Sequence, residues 1–360
     1  AKSIMKDTSY AYYATGCDDE VTLRANITDI QKFQIVPRNL VPVSNINTNL
    51  YFLNFYSSLP IFISPCALGG LAHKDAEICL AKAANESKII QICPQLGSKS
   101  LEEMRVHENQ IQFIQLYLFK DRTRLLELIR RIERLNYKAL FVTIDSATVG
   151  KRETDIRAGF TTGKSDRIDT APRYGSSVYL EGVTLQHIKW LHSNTKLPIF
   201  LKGIQNSDDA VAAVESGLIK GLMISNHGGR NLDTCRSSIQ VLVEVVAKLK
   251  SMGLYDKVPL FVDGGFRRGS DIFKALALGA TAVGIGRPML YSMAIGGQEG
   301  VQYSIDLLGQ ELVTCMKNAG CQTISNITSS FVSCSLNDLQ VSNPIANLYN
   351  SVENPSAAKL

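Results

Sequence analysis

Three features of the sequence predict a closed (β/α)8 barrel, the TIM barrel of the α/β class. Eight short apolar runs recur along it, amphipathic helical patterns follow most of them, and polar residues collect where the runs end. The runs are PIFIS (60–64), KIIQIC (88–93), IQFIQLY (111–117), ALFVTID (139–145), PIFLKG (198–203), GLMISN (221–226), PLFVDGG (259–265) and AVGIG (282–286). They are almost continuously hydrophobic, as parallel strands covered on both faces must be. Helical spacing of apolar residues marks the connections 73–87, 121–136, 207–217, 239–253 and 270–279. Eight units in this order favour closure. A doubly wound sheet is the alternative that the same alternation allows.

The composition is that of a globular enzyme-sized chain. With 360 residues, 45% of them hydrophobic, it can bury a large core. A net charge of +5, with both signs interspersed, gives no basic block for nucleic acid. No apolar run is long enough to predict a membrane span. The eight cysteines lack CxxC spacing and read as reduced core residues, with no metal site expected.

Residues 1–59, which begin with a helical pattern, are expected to cap the barrel. Residues 60–324 form the barrel itself, and 325–360 form a polar C-terminal tail. Within the barrel, 146–195 is a long connection rich in Gly, Ser, Thr and charge, expected to be an active-site loop. The last three residues, Ala358-Lys359-Leu360, nearly match a peroxisomal address, with the mitochondrial intermembrane space and cytoplasm as alternatives.

A barrel places its chemistry at the C-terminal ends of its strands. There the sequence offers Gln115 and Tyr117, Thr143 and Asp145, Lys202, Ser225 with Asn226 and His227, Asp263, and Gly286 with Arg287. The turns after the last two strands carry glycines and arginines, Gly265 and Arg267 among them. Such turns let backbone N–H groups and a helix N-terminus approach a phosphate. His227 can accept a proton near neutrality, and Asp145 is the candidate to orient it and to stabilise the imidazolium. Arg230 is suited to bind a carboxylate through two parallel hydrogen bonds, with Arg152 as a second clamp or as a solvated loop residue. Lys202 fits either Schiff-base chemistry or a positive charge beside an electron-rich cofactor. A phosphate site alone does not separate FMN from a sugar phosphate.

These motifs resemble the FMN-dependent L-2-hydroxy-acid oxidases and dehydrogenases, the family of glycolate oxidase and lactate oxidase. They look nearest to the flavin domain of yeast flavocytochrome b2. The resemblance runs from YYATGCDDEVTLRAN to LYSMAIGGQEGV, and SNHGGRNLD with DGGFRRGSDIFKALALGATAVGIGRP carries most of it. It implies His227 as the base, Asp145 as its partner and Tyr117 at the substrate hydroxyl. Tyr12, Arg230 and Arg152 would bind the substrate carboxylate, and Leu96 and Val149 would border its side chain. Gln115, Thr143, Lys202 and Ser225 would contact the flavin, with Ala67 packed near it. Asp263, Gly265, Arg267, Gly286 and Arg287 would hold the ribityl phosphate.

The resemblance further implies oxidation of a small L-2-hydroxy acid, of lactate or glycolate type, to the 2-oxo acid through FMN. O2 giving H2O2 is the expected acceptor, because the sequence has no counterpart of a heme domain. Cytochrome c or another acceptor is the runner-up, and a homotetramer is the expected assembly. A Schiff-base aldolase and a non-catalytic flavin-binding protein are the readings from other classes. Two residues depart from the family pattern: Cys66 stands where threonine is usual, and Pro94 replaces a serine that contacts the flavin.

Overall fold

The computed structural model describes residues 1–160 and 178–334. Part of the 146–195 connection, most of the 325–360 tail and the Ala358-Lys359-Leu360 terminus therefore lie outside the described residues. Two helices come first, α1 (Asp7–Ala14) and α2 (Val21–Lys32), then a short strand β1 (Gln34–Ile35) and a hairpin of β2 (Leu50–Phe52) and β3 (Phe55–Ser57). The barrel begins with β4 (Ile61–Ile63), α3 (Glu77–Glu86), β5 (Ile90–Pro94), α4 (Leu101–Met104) and β6 (Gln112–Leu116). It continues through α5 (Arg122–Arg134), β7 (Leu140–Thr143), α6 (Glu153–Arg157), α7 (Leu185–Ser193) and β8 (Ile199–Ile204). Then follow α8 (Ser207–Glu215), β9 (Gly221–Ile224), α9 (Ser238–Ser251), β10 (Leu260–Asp263), α10 (Gly269–Ala277), β11 (Ala282–Ile285) and α11 (Arg287–Ala319). A last strand, β12 (Val332–Ser333), pairs antiparallel with β1.

Strands β4 to β11 close on themselves in sequence order, each parallel to its neighbours, and β11 pairs back onto β4. Closure rules out the doubly wound alternative. Each of the eight predicted apolar runs matches one barrel strand; six strands lie wholly inside their runs, and β5 and β8 extend one residue past theirs. The reason is visible in burial: every residue of the eight strands is buried, so no solvent face forces alternation. The helices start where short polar side chains satisfy their first N–H groups. Asp121 accepts from Thr123 and Arg124, and Asn206 from Asp208 and Asp209. Helix α11 is interrupted at Gly296 and Gly297, whose backbone is not helical. The eight cysteines are all free thiols. Among the described residues no helix is long and apolar enough to cross a membrane.

The barrel interior is filled by phenylalanines. Phe113, Phe141 and Phe200 stack in succession, with centroids 5.5 Å and 4.5 Å apart, and Phe261 stacks on Phe62 at 5.0 Å. Phe52 of the β2–β3 hairpin packs its ring against Phe113 and Phe261, closing this cluster from outside the barrel. Helices α1 and α2 instead contribute Tyr12, Tyr13, Leu23 and Asn26 to the cavity lined by the C-terminal ends of the strands. The N-terminal segment thus supplies both a hairpin against the aromatic interior and two helices beside the polar rim.

Large rings leave no room for a side chain opposite them. A Cβ on Gly221 would lie 2.1 Å from Cε1 of Phe200. Gly221→Ala is therefore expected to destabilise the protein by about 1–3 kcal/mol through overpacking, read from urea unfolding. In a Phe200→Leu background the same change should cost less. Equal costs in the two backgrounds would show that the two residues are not coupled.

Candidate functional site

The floor of the site is a buried charge cluster on three adjacent strands' ends. The Asp145 side chain, which follows β7, is wholly inaccessible to solvent. Its Oδ1 lies 3.0 Å from Nδ1 of His227, and its Oδ2 lies 3.7 Å from Nζ of Lys202. Burial pushes the Asp145 carboxyl up, but the Lys202 cation and the His227 ring more than offset this and hold it below its usual range. For His227, burial and then the Lys202 charge lower the pKa, while Asp145 opposes them, and the net shift is downward. A neutral imidazole is therefore the resting form at neutral pH. With Nδ1 taken by Asp145, the free lone pair belongs to Nε2.

The turn that presents His227 is built from three successive left-handed residues. His227, Gly228 and Gly229 have φ of 57°, 63° and 74°. Two of them are glycine, for which this costs little, whereas His227 carries about 1–2 kcal/mol of strain. The surrounding bonds hold it there. The His227 N–H donates to Ser225 Oγ at 3.1 Å, and the Gly229 N–H donates to the Asn226 carbonyl at 3.0 Å.

Above this floor lies a cavity of about 720 Å³. Its wall brings together most of the residues singled out in the sequence. Ala67, Leu96, Gln115 and Tyr117 come from the loops or strands of the first three units. Val149, Arg152, Lys202, His227 and Arg230 follow, and Asp263, Gly265, Arg267, Gly286 and Arg287 come from the last turns. Tyr12 reaches in from α1. Thr143, Asp145 and Ser225 stand outside this lining. Thr143 Oγ1 accepts from Gln115 Nε2 at 2.9 Å, and Ser225 Oγ donates to Asp263 Oδ1 at 2.6 Å. Both departures, Cys66 and Pro94, also line the cavity. Burial and the nearby Asp263 charge push the Cys66 thiol up to about 12, so it stays protonated.

The lining is strongly cationic. Arg24, Arg152, Lys202, Arg230, Arg267 and Arg287 face one carboxylate, that of Asp263. Arg230 and Arg287 have no ion pair with a carboxylate among the described residues. Instead Arg230 Nη1 donates to the carbonyls of Tyr12 (2.7 Å) and Thr15 (3.1 Å), and Arg287 Nε donates to that of Tyr13 (2.8 Å). Burial, then repulsion from Arg152, pushes the Arg230 guanidinium down to about 10. Arg230 also lies 4.9 Å from the Tyr12 ring centroid, and Arg152 lies 5.7 Å from it. Half-buried guanidinium groups that pair with carbonyls and no carboxylate are suited to bind anions.

Asn26 and Phe160 were not singled out from the sequence, whereas Asn226 was. Asn26 of α2 and Asn226 exchange side-chain amide bonds of 2.9 Å and 2.8 Å, fastening α2 to the His227 turn. The Gly265 backbone approaches so closely that a Cβ there would lie 2.0 Å from the Asn26 carbonyl oxygen. Phe160 stacks on Tyr12 at 4.5 Å. Both asparagines lie inside the quoted motifs, so position marked them, but their pairing spans 200 residues. Outside the cavity lining, His73, Asp75 and Cys79 bring potential ligand atoms within 4.8 Å of one another. There His73 Nδ1 accepts the Asp75 N–H at 3.1 Å.

Comparison with known proteins bears on this cavity. Residues 1–334 match the model of the FMN-dependent dehydrogenase family. The chain belongs to that family. It is 37% identical over 348 residues to glycolate oxidase 3 of Oryza sativa, covering 92% of this chain and 93% of that one. It is 38% identical over 339 residues to the L-lactate dehydrogenase (cytochrome) of Wickerhamomyces anomalus, covering 91% of this chain but 59% of that one. The recombinant flavin-binding domain of baker's yeast flavocytochrome b2 superposes with a TM-score of 0.87 at 35% identity, covering 100% of this chain and 91% of that chain.

As an FMN-dependent dehydrogenase, the protein has a cavity that fits its cofactor. The volume falls within the range of roughly 300–1,000 Å³ for small-molecule sites. The cationic lining matches a phosphate plus a second anion, and glycine turns bring backbone close at the end that carries Arg267 and Arg287. The Schiff-base aldolase reading of Lys202 gives way to this one.

The charge cluster predicts a pH profile. With His227 as the base that the resemblance implies, flavin reduction needs its neutral form, and the rate falls as pH drops through a pKa lowered by burial and Lys202. Asp145→Asn removes the charge that opposes this lowering. The acid limb should move to lower pH and the plateau should fall about 10²-fold, measured by stopped-flow reduction across pH. A limb that stays in place or moves upward would contradict the pairing.

Proposed function

We propose that the protein oxidises a small L-2-hydroxy acid, of lactate or glycolate type, to the 2-oxo acid, with O2 reduced to H2O2 as the terminal acceptor. The observation that carries this reading is the pairing, in one cavity, of a neutral imidazole backed by Asp145 with the unneutralised Arg230 guanidinium. The first is a base for a carbinol, and the second is a seat for the adjacent carboxylate. Relatives named glycolate oxidase, similar over nine-tenths of both chains, support the substrate class. O2 is preferred as acceptor on the same similarity to oxidases. Cytochrome c is the second reading, favoured by the relative named L-lactate dehydrogenase (cytochrome).

In this reading Arg230, with Tyr12 and Arg152 beside it, binds the substrate carboxylate. Tyr117 donates to the substrate hydroxyl. Nε2 of His227 takes a proton from the substrate, and Asp145 stabilises the imidazolium that results. Leu96 and Val149 border the side chain and favour a short alkyl group, with modest selectivity. Lys202, Gln115 and Ala67 would border the flavin ring, with Thr143 behind Gln115 and Ser225 behind Lys202. Asp263, Gly265, Arg267, Gly286 and Arg287 hold the ribityl phosphate. When bound, FMN supplies a two-electron acceptor. Two electrons and two protons leave the carbinol, and the same number converts O2 to H2O2.

Anaerobic mixing of the holoprotein with L-lactate and glycolate should bleach the flavin, and readmitted O2 should restore it faster than cytochrome c does. No bleaching with either acid would refute the assignment. His227→Gln should keep its FMN, by absorbance, and reduce about 10³-fold more slowly. Unimpaired reduction in that variant would remove His227 as the base.

A further inference from the structure

We propose that Glu77 is a positioning residue for the substrate side-chain pocket: its carboxylate ties the loop after β4 to the loop after β5 and so sets the spacing between Ala67 and Leu96. This rests on the reading of the cavity given above. Glu77 opens α3, yet it is completely buried. No Lys or Arg forms an ion pair with it among the described residues. Its partners are backbone N–H groups from the two loops. Oε1 accepts from Gly69 at 2.7 Å and from Ser98 at 3.0 Å, and Oε2 accepts from Ser98 and Lys99, both at 3.1 Å.

The loops are shaped around this carboxylate. A Cβ on Gly69 would stand 2.9 Å from Oε1, and one on Gly97 would stand 3.3 Å from Cδ. A side chain at Gly69 would displace the carboxylate, and one at Gly97 would press on it. Two further hydrogen bonds link the loops. The Leu68 N–H donates to the Leu96 carbonyl at 3.2 Å, and the Gly70 N–H donates to Ser98 Oγ at 2.9 Å. The same assembly reaches α1, because the Tyr13 hydroxyl donates to the Leu68 carbonyl at 2.5 Å. Tyr13 adjoins Tyr12, the proposed carboxylate-binding tyrosine.

Burial pushes the Glu77 carboxyl up, the backbone N–H groups of Ser98, Gly69 and Lys99 oppose this, and the net shift is upward; the ionised form is the one that fits the donors around it. Three N–H donors converge on it, and only an acceptor-only group satisfies them all. Glutamine keeps one oxygen but turns an NH2 toward donors. An apolar residue would leave the N–H groups unpaired. A neutral replacement should therefore let the two loops part, which changes the gap that the substrate side chain enters and leaves the His227–Asp145 pair in place.

The test compares wild-type and Glu77→Gln holoenzyme in two measurements. In hydrogen exchange, the segments 66–71 and 95–99 should lose protection together, while α5 and α9 keep theirs. In steady-state kinetics, the ratio of kcat/KM for L-lactate to that for glycolate should change about tenfold, carried by KM, with Glu77→Asp recovering part of it. A lowered Tm with an unchanged ratio would reduce Glu77 to a stabilising role and overturn the proposal. Loss of protection in only one segment would overturn it too. If Glu77→Gln does not fold, Gly97→Ala presses on the same carboxylate and should shift the ratio in its place; an unchanged ratio there overturns the proposal. Failure of either acid to reduce the wild-type flavin would strike the substrate reading, and the exchange data would still decide the loop linkage.

Discussion

A carboxylate without solvent must be compensated, and in this protein that need organises the catalytic rim. Asp145 has no access to water and meets its two partners on the neighbouring strand ends, Lys202 of β8 and His227 after β9. The closed barrel makes the meeting possible. Parallel strands in sequence order bring the ends of β7, β8 and β9 side by side, so one negative charge can set the tautomer of a base and sit beside a lysine. The same cluster explains why His227 tolerates left-handed backbone. The strain is small beside the cost of leaving Asp145 unpaired, which is about 3–5 kcal/mol.

The second organising feature is an excess of positive charge above that floor. Arg230 and Arg287 are half-buried and meet backbone carbonyls of the N-terminal arm rather than carboxylates. Those carbonyls orient the guanidinium groups and draw the arm over the rim, while the net charge is left for an anionic ligand. The arm is thus part of the site. Tyr12, Tyr13 and Asn26 all come from residues that precede the barrel, and Asn26 locks against Asn226 beside the base. Glu77 does the complementary work beside the ends of β4 and β5, where its carboxylate meets backbone N–H groups. Both devices fix loops through charge and main-chain dipoles, which are more rigid than pairs of flexible side chains.

The eightfold alternation of apolar runs and amphipathic helices, the glycine–arginine turns and the SNHGGRNLD segment determined the architecture, the family resemblance and the candidate site residues. Fully buried strands must be continuously apolar, and backbone that approaches a ligand must be glycine, so both leave local signatures. What only the tertiary structure decided depends on partners far apart in the chain. It placed Thr143, Asp145 and Ser225 outside the cavity lining, paired Asn26 with Asn226, and turned an ordinary helix-start glutamate, Glu77, into a buried clamp. A carboxylate at the first turn of a helix looks the same in sequence whether it faces water or three N–H groups, because its environment is set by loops that fold over it.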